Sequence, residues 1–466
     1  MSKLFSSCVL LVLVAYLSSC RKDTFDTDSG IKLKFSTDTV FFDTVFTALG
    51  QSNNPRSVNR RFTVFNPSSQ KIKTDIRLAG GTASPFRLNI DGQSKLAITD
   101  FEIRPKDSIY IFVEVTVDAN NQSNPLIIQD SVLFSTNGNL QDVKLVAWGQ
   151  DAYYFQDSVL DCNLVWDDKT KPYVIFNSIL VPEGCKLTIK EGVKVHSSID
   201  SRIYVAGTLE VLGTAAQPTQ FLGARLGAAF EELASQWWGI RLLPSSRNNI
   251  IRNAQIKNGV VGLQVDSLQP GFLPKLDISN TKILNMTFGG LICYTAKVNA
   301  TNTLVANCGR YTFVGDLGGD YTLRHCTFAN YGHTFSRNLP SFGLTNADYN
   351  DNINPIITNN LRYNIQNTII YGSFKDELVL ISSGKGSIQG NIESSIIRSE
   401  ISGLNVNNNI INQNPKFLDV VKNNFELDTL SLAKDRGALL IPAVTSDLKG
   451  ELRDSKPDIG AFERKE

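Results

Sequence analysis

The sequence predicts an all-β protein, a β-sandwich of immunoglobulin-like pattern followed by a solenoid of short strands. Three observations carry this. Residues 31–150 alternate apolar and polar between turn signals. Residues 251–399 repeat an eight-residue unit, apolar-x-Asn-small-x-apolar-x-Asn. The first-Asn positions of the copies (Asn253, Asn280, Asn302, His325, Asn367, Ser394) are spaced 27, 22, 23, 42 and 27 residues apart, a period that means stacked turns of chain.

The chain opens with a targeting segment. Lys3 supplies a basic start, and Val9 to Leu17 is an apolar run too short to span a bilayer stably. It ends in Leu17-Ser18-Ser19-Cys20, which resembles a bacterial lipobox. The resemblance implies removal of residues 1–19 and lipidation of Cys20, so that the membrane is a partner through its acyl chains. Arg21 after the cysteine is similar to lipoproteins sent to the outer membrane. The acidic run Asp23, Asp26, Asp28 loosely resembles the surface-export signal of Bacteroidota lipoproteins. Residues 20–30 are expected to be a tether.

Residues 31–150 are expected to form the sandwich. Ile31 to Phe35, Arg61 to Phe65 and Ile109 to Val115 read as strands, and Asn66-Pro67-Ser68-Ser69, Gly80-Gly81 and Asn137-Gly138 as turns. This stretch has no cysteine, so packing alone must hold it. Phe65-Asn66-Pro67, Ser84-Pro85-Phe86 and Asp107-Ser108-Ile109 resemble Ig-like modules before repeat domains in Bacteroidota lipoproteins.

Residues 151–466 are read as solenoid and end segment. Gly184, Gly192, Gly207 and Gly213 punctuate short Val/Ile/Leu strands, and Ala228 to Ala234 reads as a short helix. Within each repeat the apolar parity slips at the first Asn. A strand keeps parity and a corner breaks it, so that Asn marks a corner. Asn suits a corner because it tolerates left-handed backbone angles. The next column (Ala254, Thr281, Thr303, Cys326, Thr368, Ser395) is small throughout, as a crowded inside corner requires. The Asn corner, small column and roughly 22-residue step resemble right-handed parallel β-helices of the pectate-lyase type. Leucine-rich repeats share the period, but their Leu-x-x-Leu-x-Leu is absent.

Residues 331–364 carry an Asn-rich insertion, expected to loop out on one face. After the second Asn of each copy, Leu263, Leu291, Phe313 and Phe335 are expected to fall in register as an inward column. The end segment, with Asn414-Pro415-Lys416-Phe417 and Pro457-Asp458-Ile459-Gly460, resembles the closing segment of Bacteroidota β-helix proteins. It is expected to cap the open solenoid end.

Net charge is +1 with both signs mixed, which argues against nucleic acid as a partner. No pair of cysteines has zinc-ligand spacing, so no metal or cofactor is expected, calcium entering only if the protein is a lyase. Cys162 and Cys185 are a candidate disulfide; Cys293, Cys308 and Cys326 read as buried small hydrophobes.

Three positions beyond the inward column, Asp266, Tyr294, Asp316 and Asn338 are expected to share one outward face. Asp266 and Asp316 would lie roughly 10 Å apart across two coils, near the wide limit for an inverting carboxylate pair. Arg310 and His333 are close enough in register to join them. The paired Trp237 and Trp238 offer a ring for a sugar, although one of such a pair commonly lies in the core. Neither family signature of pectate lyases or related hydrolases is present. The expected function is therefore non-catalytic binding of glycan or a partner at the cell envelope. The alternative is a polysaccharide lyase or hydrolase acting on acidic glycans, with Asp266, Asp316 and His333 as catalytic groups.

Overall fold

The computed structural model describes residues 24–46, 58–116, 126–267, 273–332, 335–337, 339–347, 359–382 and 386–465. Cys20 and the segment before it lie outside these, as do His333 and Asn338. The chain divides into two compact units between Asp151 and Ala152.

The first unit is two five-stranded sheets. One runs Lys34–Phe35, Val58–Phe65, Ser108–Val115, Phe86–Ile90, Gln93–Ser94, with every pairing antiparallel. The other runs Thr39–Phe46, Asn139–Gln150, Leu126–Thr136, Ile72–Leu78, Ala97–Ile103, and its first pair is parallel. Inward residues alternate with outward ones, as in Ile72–Leu78. The inward set (Phe42, Phe62, Phe86, Ile111, Phe134 among them) forms one core. Asn66 locks a turn, its side-chain amide donating to the carbonyls of Gln70, Ile103 and Arg104.

The second unit is a parallel β-helix, a single spiral of 25 strands in which each strand pairs chiefly with the strand one coil away. The coils have three faces. The first carries Arg202–Val205, Gly239–Leu242, Val261–Asp266, the opening halves of Gly289–Thr301 and Tyr311–Arg324, then Phe342–Thr345 and Leu378–Ile381. The second carries Asn249–Arg252, Leu276–Ser279, the closing halves of those two long strands, Leu361–Gln366 and Ile388–Glu393. The third carries Ala254–Lys257, Lys282–Met286, Leu304–Cys308, Thr327–Asn330, Ile369–Gly372 and Ile396–Ile397.

The corner between the second and third faces is built as the repeat requires. Asn253, Asn280, Asn302, His325, Asn367 and Ser394 all have φ between 46° and 50°. Each donates its backbone N–H to the residue before the next corner, for example Asn280 to Thr301 and Asn302 to Arg324 at 3.1 Å. A left-handed residue costs an ordinary side chain about 1 kcal/mol or more, and asparagine carries that cost best. The small column behind it is buried, and its hydroxyls take corner N–H groups, as when Thr368 N donates to Ser395 Oγ at 3.1 Å.

Three expectations change. Phe342, not Phe335, pairs with Phe313, because the insertion leaves the coil before the first face resumes. The expected helix at Ala228 to Ala234 is one 3-10 turn, Ala228–Phe230, since so short a segment forms too few helical bonds to hold together. The end segment does not close the solenoid's end. Ile401, Leu404 and Ile411 pack against the last turn of the core there. Residues 414–465 instead lie against the flank of the third face. Phe425, Leu448, Ala461 and Phe462 cover Leu284, Leu304, Ala306 and Ala329, while Leu427, Ala433 and Ile459 cover Ile369, Tyr371 and Ile396. The third face is thereby apolar on both sides, which is why Leu304 to Cys308 is buried at every position.

Candidate functional site

The outward column at the end of the first face is in register. Asp266 pairs with Tyr294 and Tyr294 with Asp316, so the two carboxylates stand two coils apart, roughly 10 Å at a coil spacing of about 4.8 Å. Their surroundings differ. Asp266 is buried, its Oδ2 taking Arg241 Nε at 2.6 Å and its Oδ1 taking Gln264 Nε2 at 2.9 Å. Asp316 is half-buried and accepts the backbone N–H of Leu317 at 3.0 Å. Burial, then the charges of Asp316 and Asp266, push the Tyr294 phenol above its ordinary value, so it stands between them as a neutral hydroxyl. The oxygens of Asp266 are committed to stabilising the face, and a reacting group would have to displace Arg241 to reach them.

The corner leading into the first face presents a second arrangement. Trp238 N donates to Ser201 O, Val260 N to Trp237 O, Phe288 N to Val260 O and Arg310 N to Phe288 O, each at 2.8–2.9 Å. Trp238, Val260, Phe288 and Arg310 therefore occupy successive coils of one ridge, spanning roughly 14 Å. The Arg202 guanidinium lies 4.2 Å from the Trp238 ring and donates to Tyr204 Oη at 3.0 Å. The Arg310 guanidinium lies 5.5 Å from the Phe288 ring, which also meets Tyr311 edge-on at 5.7 Å. Trp238 is 39% exposed and Arg310 is exposed. Among the described residues neither Arg202 nor Arg310 forms a salt bridge. A guanidinium laid on a ring keeps its N–H edge for a ligand oxygen, and the remaining ring face suits the C–H face of a sugar.

Trp237 is not part of this ridge surface. It is 1% exposed, and its indole N–H donates to Lys257 O at 2.8 Å inside the coil. The glycine after the pair, at φ 125°, makes the corner that sends one ring inward and the other outward. Sequence reasoning missed Arg202, Tyr204 and Phe288. Their common signal is weak, because the spacing between coils varies and the contact is between neighbours along the axis.

Cys162 and Cys185 form a disulfide across the first coils. Cys293, Cys308 and Cys326 are buried thiols, and burial pushes Cys308 and Cys326 up to about 12. They are packing groups, not nucleophiles. No group of three or more His, Cys, Asp or Glu side chains that could hold a metal ion occurs among the described residues.

No family model matches the sequence, and no curated protein matches it. Among solved structures, a family 123 glycoside hydrolase from Clostridium perfringens is similar over 30% of this chain and 31% of its own, at 6% identity and a TM-score of 0.20. A protein of unknown function from Porphyromonas gingivalis W83 is similar over 28% of this chain and 59% of its own, at 12% identity and a TM-score of 0.18. The CupB6 tip adhesin from Pseudomonas aeruginosa is similar over 26% of this chain and 43% of its own, at 13% identity and a TM-score of 0.18. This chain thus spans less than two thirds of each, and the likeness says nothing about activity.

Proposed function

We propose that this protein is a lipid-anchored component of a bacterial outer membrane that binds glycan without cleaving it. The observation that carries the reading is the ridge of Trp238, Val260, Phe288 and Arg310, with Arg202 laid on the indole. An exposed indole and a half-buried phenyl ring, each braced by a guanidinium, are a poor solution for packing and a good one for gripping sugars. The anchoring reading rests on Leu17-Ser18-Ser19-Cys20, and no described helix is long and apolar enough to cross a membrane. A glycan array on the full chain tests binding. At least one glycan is expected to bind and to bind more weakly after Trp238→Ala or Arg310→Ala. No binding at millimolar concentration, or binding indifferent to both changes, would defeat the proposal.

The register of Asp266, Tyr294 and Asp316 favours a second reading, a lyase or hydrolase of acidic glycans. Turnover of any panel glycan that is lost in Asp316→Asn would replace the first reading with this one.

A further inference from the structure

We propose that residues 414–465 are a releasable strap, latched to the solenoid by His325 and unlatched when that imidazole takes up a proton. His325 stands at a corner that asparagine occupies in both adjoining coils, and it is 1% exposed. The latch is defined by Asn367. Its Oδ1 accepts Ala438 N at 2.8 Å, its Nδ2 donates to Ala438 O at 2.8 Å, and the same Nδ2 lies 2.9 Å from His325 Nε2. Turning the amide round would break both bonds to Ala438, so His325 Nε2 must accept. The imidazole proton then sits on Nδ1, which donates to Asp458 O at 3.1 Å. Ala438 and Asp458 both belong to the strap.

A second proton on Nε2 would face the amide N–H of Asn367; the Gly460 carbonyl beside the ring favours the charged imidazole, but it already accepts Arg453 Nη2 at 2.9 Å. The surrounding charges do not relieve this. Arg453, bonded to Asn302 Oδ1 at 3.0 Å and paired with Glu463 at 2.8 Å, repels the imidazolium, and so does Arg324. The Asp458 carboxylate is taken by the N–H groups of Asp435 and Arg464, both at 2.7 Å. Glu463 is held by Arg453 and Asp458 N, and Asp447 by the N–H groups of Lys449, Glu451 and Glu463. Asp435 acts on this cluster through the Asp458 carboxylate.

Burial first, and Arg453 second, hold the folded imidazole down at about 3, against an ordinary value of 6.5. The strap's attachment is therefore complete above pH 6.5 and weakens as pH falls below it. Burial raises Asp458 and Glu463 above the ordinary carboxylate range, so their uptake of protons in the folded state opposes the trend, and the His325→Asn comparison, which keeps both acids, isolates the imidazole. Opening uncovers Leu284, Leu304, Ala329, Ile369 and Ile396 on the third face.

Hydrogen exchange on the full chain between pH 7.5 and 5.0, corrected for intrinsic rates, tests this at the amides of Ala438, Gly460 and Ala461, which donate to Asn367 and Thr327 of the solenoid. Exchange through opening is expected to rise about tenfold per pH unit below 6.5, about thirtyfold at pH 5. His325→Asn places the usual corner residue there and is expected to give a flat profile. A flat profile in the unchanged protein, or a slope that persists in His325→Asn, overturns the proposal. If His325→Asn loses protection already at pH 7.5, nitrogen NMR of the unchanged protein decides. An imidazole neutral to pH 5 in the closed strap supports the latch, and one titrating near 6.5 with the strap closed overturns it.

Discussion

Asn302 donates its side-chain amide to the Oδ1 of Asn280, one coil away, at 2.9 Å, and to Ser446 O of the strap at 2.7 Å. Its own Oδ1 accepts Arg453 Nη2 at 3.0 Å. One side chain thus joins two coils and a buried cation while its backbone sits at φ 46°. Asn302→Ala loses the bonds and keeps the strained backbone, at a cost of about 3 kcal/mol. Asn302→Gly loses the bonds alone and is expected to be about 1 kcal/mol less damaging. Urea unfolding of both variants checks the order, which reverses if the backbone angle is unimportant.

The two neighbouring tryptophans separate packing from binding. Trp237→Ala is expected to cost about 3–5 kcal/mol, since it empties a core site and strands Lys257 O. Trp238→Ala is expected to stay within about 1 kcal/mol of the unchanged protein while weakening glycan binding about tenfold. Thermal melts beside a binding titration distinguish the two.

Arg337 and Glu377 form a buried two-pronged pair at 2.6 and 2.9 Å, with side chains 1% and 0% exposed. Glu377 also accepts the backbone N–H groups of Ser341 and Phe374. Glu377→Ala leaves a buried guanidinium alone and is expected to cost about 3–5 kcal/mol. Arg337→Met removes that charge but leaves the carboxylate its two backbone donors, so it is expected to cost less. Equal losses in denaturant titrations would mean those donors contribute nothing.

Cys162 and Cys185 are 23 residues apart in sequence. Closing a loop of that length in the unfolded chain is worth about 3 kcal/mol in the chain-entropy model. Cys162→Ser is expected to lower stability by about that amount and to loosen the first coils before the later ones. Exchange at Leu164 to Trp166 compared with Leu304 to Cys308 reports the difference.

His196 donates its Nδ1–H to Gly223 O at 2.9 Å, and burial holds it down to about 4, as His325 is held to about 3. Both lie below the unfolded value of 6.5, so both contribute stability above pH 6.5 that is lost as pH falls. Between pH 6 and 5 these two imidazoles are expected to lower the unfolding free energy of the second unit by about 2.4 kcal/mol, a little under two protons' worth because the unfolded ring is already about three-quarters protonated at pH 6. Urea curves followed by the fluorescence of the buried Trp166 and Trp237 measure the slope.

Much of this architecture is legible in the sequence because corners are local. The parity slip at Asn253, Asn280 and Asn302 is a backbone event at one residue, and all three have the left-handed angle. His325 and Ser394 keep that angle without the asparagine, so the repeat outlasts its signature. Register across the insertion is not local. Counting forward from Phe313 reaches Phe335, whereas the chain first makes an excursion anchored by Arg337 and then brings Phe342 into line. The strap was hidden for a different reason. Its trace is Ile369-Ile370-Tyr371, apolar on both parities, which asks for cover outside as well as inside but does not say which segment supplies it. In the candidate site, Asp266, Tyr294 and Asp316 followed from counting; the partners that occupy Asp266 did not, because Arg241 comes from the preceding coil.

The strap touches the solenoid at fixed stations. Ala438 meets Asn367, Asp458 meets His325, and Ser446 and Arg453 meet Asn302. A segment of set length pinned at successive levels works as a ruler. Inserting one more turn between Asn302 and Asn367 would shift the outer pins by about 4.8 Å relative to each other, and they could no longer all engage. The number of turns between those pins, which repetition alone leaves open, is thereby written into residues 414–465.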